Sequence, residues 1–166
     1  RPVRIPVSCY KRMEGKEKGS PWCSTLDWED CSIEEPWACL DSHRWYRTTV
    51  EIPPHLDGAH VEFLITTGRE GQWDATNPQM LFYLNGNIVQ GVDVNHREIL
   101  ISSGAKAGER YEIAILAYSG SVPGDLIIRT ELVRVDDAVE KAYYDFLVPV
   151  QAARLLKKPD EENYRR

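Results

Sequence analysis

Residues 80–89 read MLFYLNGNIV, and this stretch decides the fold class. Apolar side chains alternate on both faces of the segment up to Leu84, a pattern typical of a β-strand covered on both sides. Asn85-Gly86 follows at once, and this dipeptide favours a two-residue hairpin turn because both positions tolerate positive φ. Ile88-Val89 begins the return strand. The stretch therefore predicts an antiparallel hairpin.

The same period-two alternation recurs on either side of this hairpin, from Trp45 to Val135. Gly, Pro and Asn separate six to eight short runs, and no helical pattern intervenes. We therefore expect a mostly β fold, an antiparallel β-sandwich of jelly-roll or galactose-binding-like type. The alternating positions include Thr48, Val50, Ile52, Val61, Phe63, Ile65, Ile99, Ile101, Ile113, Ile115, Ile128 and Leu132.

The two ends of the chain differ from this pattern. Residues 1–44 predict an irregular segment with one short extended stretch, and residues 1–135 together predict the sandwich domain. Residues 136–166 predict a helical connector to a missing catalytic domain, because apolar residues recur there at helical spacing. Asp136-Asp137 offers an N-cap, and Pro149 should kink or divide the helix. Packing of this helix on the sandwich itself is the alternative.

The composition excludes several classes of partner. Among 166 residues, 20 basic and 26 acidic side chains are interleaved, for a net charge of −6. A nucleic-acid-binding protein needs a clustered basic face, so we expect no nucleic-acid partner. No run approaches the ~18–20 apolar residues of a membrane span. Because the chain begins at Arg1 rather than Met, we expect it to be part of a longer protein.

Four cysteines lie in the first quarter of the chain: Cys9, Cys23, Cys31 and Cys39. Their spacing matches no C-x-x-C zinc pattern, and no histidine pair follows that could complete a tetrahedral site. We expect free thiols in a cytoplasmic protein, with disulfides as the alternative.

The sequence shows no catalytic constellation. The histidines His43, His55, His60 and His96 form no pair at ligand spacing, and no nucleophile elbow, P-loop or dinucleotide fingerprint occurs. We therefore expect a chain without catalytic residues, a metal site or a cofactor.

The polar segment 91–98 is the strongest candidate for a contact surface. Asp93, Asn95, His96 and Arg97 could present donors and acceptors to a sugar or to a neighbouring domain. The alternative is a loop whose Asp and Asn satisfy their own backbone in Asx turns. Trp73, in a polar loop, is placed for display as a further carbohydrate or interdomain contact.

Several motifs, in order, resemble the sugar-binding-like sandwiches attached to glycosidases. They are WYR at 45–47, YLNG at 83–86, GVDVNHRE at 91–98 and YEIAI at 111–115. With Ala117-Tyr118 and the ending around residues 143–145, the pattern over residues 40–156 resembles glycoside hydrolase family 38, the α-mannosidases.

The resemblance implies that the chain is the non-catalytic N-terminal accessory domain of a bacterial-type α-mannosidase. It also implies a role in domain packing, in assembly and in shaping the active-site cleft, with zinc in the missing catalytic domain. The expected partners are that catalytic domain, mannosides, and further copies of the enzyme in a homo-oligomer. The alternatives are an autonomous carbohydrate-binding module, the equivalent domain of a family 2 β-glycosidase, and a purely structural domain.

Overall fold

The computed structural model describes residues 3–14, 28–36, 41–68, 79–120 and 127–157. Its described strands form two antiparallel sheets, so the predicted mostly β sandwich fold is confirmed. Trp73, Cys23 and Cys39 lie outside the described residues. In chain order the strands are β1 (Arg4–Pro6), β2 (Cys9–Glu14), β3 (Glu29–Ser32), β4 (Ser42–Glu51), β5 (His60–Thr66), β6 (Gln79–Leu84), β7 (Asn87–Val92), β8 (Glu98–Ser102), β9 (Arg110–Ser119) and β10 (Arg129–Val135).

Non-local pairing assembles both sheets. Within the described ranges, one sheet has the order β1-β10-β5-β8 and the other the order β3-β2-β4-β9-β6-β7. The longest ladder joins β4 to β9 over ten residue pairs, from Ser42↔Ser119 to Glu51↔Arg110. This ladder is central in the larger sheet, so it fixes which side chains of that sheet face the core.

The core lies between the sheets and is built from the alternating positions that the sequence predicts. Val61, Phe63 and Ile65 of β5 are buried, as are Met80 and Phe82 of β6. The Phe63 and Phe82 rings meet across the two sheets with centroids 5.3 Å apart. Burying such rings contributes on the order of 2 kcal/mol each, so these contacts hold the layers together.

The predicted hairpin is present between β6 and β7. Asn85 and Gly86 have φ values of +48° and +83°, the left-handed region that a type I′ turn requires at both positions. One part of the prediction is wrong: Leu81, on the face away from the core, is 39% exposed rather than covered.

The N-terminal segment differs from its prediction. We expected residues 1–44 to be irregular, but β1, β2 and β3 lie within them. The single extended stretch predicted there is two strands in different sheets. β1 and β3 are short strands at the edges of their sheets. All three strands contain charged residues, so none has a strong apolar alternation.

Residues 135–166 form a second compact unit, separate from the unit of residues 1–134. Helix α1 (Asp137–Lys157) makes up its described part. The predicted N-cap is present, since Asp136 Oδ1 accepts the N–H groups of Ala138 (3.1 Å) and Val139 (3.2 Å). The helix continues past Pro149 and is not divided there. No helix in the described ranges has the length and apolar character needed to cross a membrane.

Candidate functional site

The predicted contact segment forms a tight loop between β7 and β8, organised by Asp93. Its Oδ1 atom accepts the N–H groups of Asn95 (2.7 Å) and His96 (2.8 Å) and lies 3.0 Å from His96 Nδ1. This is the Asx-turn geometry considered above as the alternative. The structure thus brings Asp93, Asn95 and His96 together, and a binding role for them stays a prediction.

These hydrogen bonds determine the charge state of Asp93. Partial burial favours the neutral acid, but the two backbone N–H groups and the His96 ring stabilise the carboxylate more strongly. The pKa of Asp93 therefore lies below its ordinary value of 3.8. Asp93 is a fixed negative charge and hydrogen-bond acceptor at neutral pH.

Arg97 has a different environment from its neighbours. Its guanidinium lies 3.4 Å from Glu98 in a partly exposed ion pair. Its carbonyl oxygen accepts the N–H of Ile65 (3.0 Å), which ties the loop to β5. On the other side, Gln90 Nε2 of β7 donates to the Glu98 carbonyl (3.1 Å). The loop is therefore anchored to a strand of each sheet.

A groove of about 480 Å³ lies beside this loop on the outer face of the six-stranded sheet. The register explains its position. Gln79 is paired with Tyr118, and Tyr118 with His43, while Leu81 is paired with Leu116 and with Gly91. All these positions alternate with core residues such as Met80 and Ala117, so they face away from the core. Together with Asp93, they line the groove.

The Tyr118 ring is held in place at this groove. Its hydroxyl donates to Asp41 Oδ1 at 2.9 Å, and the ring centroid lies 4.6 Å from that of His43. The hydrogen bond to the Asp41 carboxylate raises the pKa of Tyr118, because that bond is made by the neutral hydroxyl. The aromatic side of the groove is thus preformed.

The other groove residues carry no motif that predicts a site from the sequence. Of the five contact residues predicted from the sequence, only Asp93 lines the groove, while Trp73 lies outside the described residues. His43, Gln79 and Tyr118 are far apart along the chain, so only the pairing of β4, β9 and β6 unites them. The signal in the sequence that could have indicated this face is a polar or aromatic residue two positions from a leucine, as in Gln79-x-Leu81 and Leu116-x-Tyr118.

A second groove, of about 970 Å³, lies where β2, β3 and β4 meet, and Cys9 and Cys31 contribute to it. Both cysteines are free thiols. Tyr10 is paired with Cys31 and Cys9 with Ser32, so the two cysteines project from opposite faces and are not placed to bond. Burial raises the pKa of the Cys31 thiol. In the part of the chain that the structure describes, no group of three or more His, Cys, Asp or Glu is arranged to hold a metal ion.

Comparison with known proteins gives a structural but not a sequence relationship. No protein-family model matches the chain, and no curated protein matches it by sequence. Among solved structures, the fold is similar to a β-glucuronidase of Ruminococcus gnavus, with a TM-score of 0.58 and 11% identity over 81% of this chain. It is also similar to β-glucuronidases of Faecalibacterium prausnitzii (TM-score 0.51, 12% identity, 69% of this chain) and Dictyoglomus thermophilum (0.51, 9%, 80%).

These likenesses cover only 29%, 21% and 28% of the three neighbouring chains, respectively, so this chain spans less than a third of each. At this level of identity they show the shared fold.

The resemblance to family 38 α-mannosidases is wrong, because the three similar solved structures named above are β-glucuronidases, of family 2 type. The physical reason lies in the motifs. Hairpin and sheet geometry requires motifs such as an Asn-Gly turn, alternating apolar strands and an Asx loop. The same motifs occur in many unrelated β-sandwiches, so they identify the architecture but not the enzyme family.

Proposed function

We propose that this chain is the non-catalytic sandwich domain of a larger β-glycosidase of family 2 type. The observation that carries the proposal is the fold likeness to three β-glucuronidases, each of which is more than three times longer than the matched segment. A glycosidase needs two carboxylates flanking one glycosidic bond. In this proposal a separate catalytic domain of the same enzyme supplies them.

The helical unit supports a connector role within this proposal. Helix α1 exposes large apolar side chains: Val139, Tyr143, Tyr144, Phe146, Val148, Val150 and Leu155. Of these, Val139, Tyr143, Phe146 and Val150 recur at helical spacing and therefore lie on one face of the helix. An exposed apolar surface of this kind marks an interaction site. We propose that the catalytic domain of the same enzyme covers this surface, so that domain is the principal partner.

The proposal drops one expectation from the sequence, zinc in the catalytic domain, and keeps another, a cytoplasmic location. Zinc in the catalytic domain was implied by the family 38 resemblance alone, so it is not carried into the proposal. A cytoplasmic location remains part of the proposal, supported by the free thiols of Cys9 and Cys31, since disulfides persist mainly in oxidising compartments.

Sequencing the complete coding region around this chain tests the proposal. We expect an adjoining catalytic domain with the paired carboxylates of a β-glycosidase. An uninterrupted gene that encodes only this chain, or an adjoining domain with α-mannosidase zinc-ligand motifs, would contradict it.

A further inference from the structure

The groove on the outer face of the six-stranded sheet has an amphipathic lining. Leu81, Leu116 and the Tyr118 ring supply apolar surface, and the side chains of Gln79 and Asp93 supply polar atoms beside it. Small-molecule sites combine such apolar surface with a few placed polar groups, and volumes of about 300–1,000 Å³ are usual. The 480 Å³ of this groove is within that range.

Both sides of the groove are preorganised. The Asp41 carboxylate orients the Tyr118 ring through the 2.9 Å hydrogen bond, and Asp41 itself is fixed by its N–H bond to the Gly120 carbonyl (3.2 Å). Asp41 adopts a positive φ of +44°, which Asp tolerates better than most residues. Fixed groups bind more tightly because less conformational entropy is lost on binding.

Asp93 is an acceptor with spare capacity. The hydrogen bonds that hold it, from Asn95 and His96, all end on Oδ1. Among the described residues, Oδ2 therefore has no protein donor. A carboxylate held by one oxygen, with the other available, is suited to accept hydrogen bonds from hydroxyl groups.

Gly91 keeps the groove open. A Cβ atom built at this position would have nothing within 4 Å, and its strand partner Leu81 also lines the groove. A larger side chain at position 91 would therefore occupy the groove without displacing the core.

We propose that this groove binds one neutral pyranose ring, with a C–H face of the sugar against Tyr118 and its hydroxyls on Asp93 and Gln79. The choice of a sugar rests on the proposed glycosidase function. A neutral sugar is favoured over a uronic acid because the Asp41 and Asp93 carboxylates would repel a third negative charge.

Titration of the whole chain by ¹H–¹⁵N NMR tests the proposal, with methyl β-D-glucopyranoside and methyl β-D-glucuronide as probes. We expect the neutral glycoside to shift the amides of Gln79, Gly91, Asp93 and Tyr118, with a Kd on the order of 1 mM, as befits a ligand of about a dozen heavy atoms. The glucuronide should bind several-fold more weakly. No shifts with either probe, shifts confined to other residues, or tighter binding of the glucuronide would overturn the proposal.

Substitutions sharpen this test. Gly91→Leu should weaken binding of the neutral glycoside at least tenfold. Val89→Leu, an exposed position on the same strand but outside the groove lining, should leave it unchanged. Gln79→Ala is a second variant in case Gly91→Leu misfolds, and it should weaken binding several-fold. Undiminished binding in a folded Gly91→Leu or Gln79→Ala variant would overturn the proposal.

The groove proposal and the proposed function can fail separately. If the complete protein is an active β-glycosidase but this chain binds no sugar, the groove proposal is wrong and the proposed function stands.

Discussion

At the scale of single residues, Tyr10 connects the two sheets through a polar contact in the core. Its hydroxyl lies 2.7 Å from Thr130 Oγ1, and Thr130 donates in turn to the Val7 carbonyl. Tyr10 is therefore the donor to Thr130. Tyr10 belongs to β2 and Thr130 to β10, so this chain of hydrogen bonds links the six-stranded sheet to the four-stranded sheet.

Replacing Tyr10 by Phe removes that link. We expect Tyr10→Phe to lower the free energy of unfolding by about 1 kcal/mol, the usual net value of a buried hydrogen bond. Urea unfolding followed by circular dichroism measures it. Tyr111→Phe is the matched control, because the Tyr111 hydroxyl bonds Glu109 at the surface, and its effect should stay within ~0.5 kcal/mol. Equal effects of the two substitutions would contradict the inter-sheet role.

The same residue predicts an alkaline loss of stability. Burial raises the pKa of Tyr10 above its ordinary value of 10.0, so above pH 10 the unfolded chain releases this proton while the folded chain keeps it. The folded state then binds more protons, and stability falls as pH rises. We expect urea midpoints between about pH 9 and about pH 11 to fall less in Tyr10→Phe than in the unsubstituted chain. If the urea midpoint falls equally steeply with pH in both proteins, Tyr10 is not buried in its neutral form.

Asp93 predicts the opposite dependence in acid. Its folded pKa lies below 3.8, so between the two pKa values the unfolded chain binds the extra proton and stability rises with pH. This contribution is present at neutral pH and is lost as pH falls below about 4. Asp93→Asn keeps an acceptor oxygen but has no such titration. The difference in urea midpoint between the two proteins should therefore shrink or reverse in acid. A constant difference would contradict the assigned hydrogen bonds.

At the scale of elements, the β6–β7 hairpin depends on the backbone freedom of Gly86. Any Cβ at φ +83° is strained, so Gly86→Ala should lower the free energy of unfolding by about 1–2 kcal/mol. Gly91→Ala is the matched control on the following strand: its φ is not positive and its Cβ has open space. That change should be neutral or stabilising. Thermal unfolding of both variants checks the pair, and equal destabilisation would argue against the type I′ turn.

Elements were predictable where side-chain patterning alone specifies them. The strands after Trp45, the Asn85-Gly86 turn and the Asp136 N-cap follow from local rules. β3 (Glu29–Ser32) was missed because its residues Glu, Asp, Cys and Ser form no apolar alternation. Such a strand forms because its neighbour β2 supplies hydrogen-bond partners, which is information from tertiary structure.

At the scale of the whole molecule, the groove is formed by the pairing and register of distant strands. Local sequence patterns do not specify that pairing, so the groove could not be predicted from them. The Asx turn at Asp93 could be anticipated from its sequence, whereas the meeting of His43, Tyr118 and Gln79 required the order β4-β9-β6. The resemblance to family 38 is wrong for a related reason. Motifs that specify turns and strands describe an architecture that many families share.

We propose that this chain is the sandwich domain of a larger β-glycosidase and performs no hydrolysis itself. The most direct measurement compares the isolated chain with the complete protein encoded by its gene, on p-nitrophenyl β-D-glycosides including the glucuronide and on p-nitrophenyl α-D-mannoside. We predict that the complete protein cleaves a β-glycoside, that it leaves the α-mannoside intact, and that the isolated chain cleaves neither. Hydrolysis of either substrate by the isolated chain would contradict this proposal. Hydrolysis of the α-mannoside alone by the complete protein would contradict it as well.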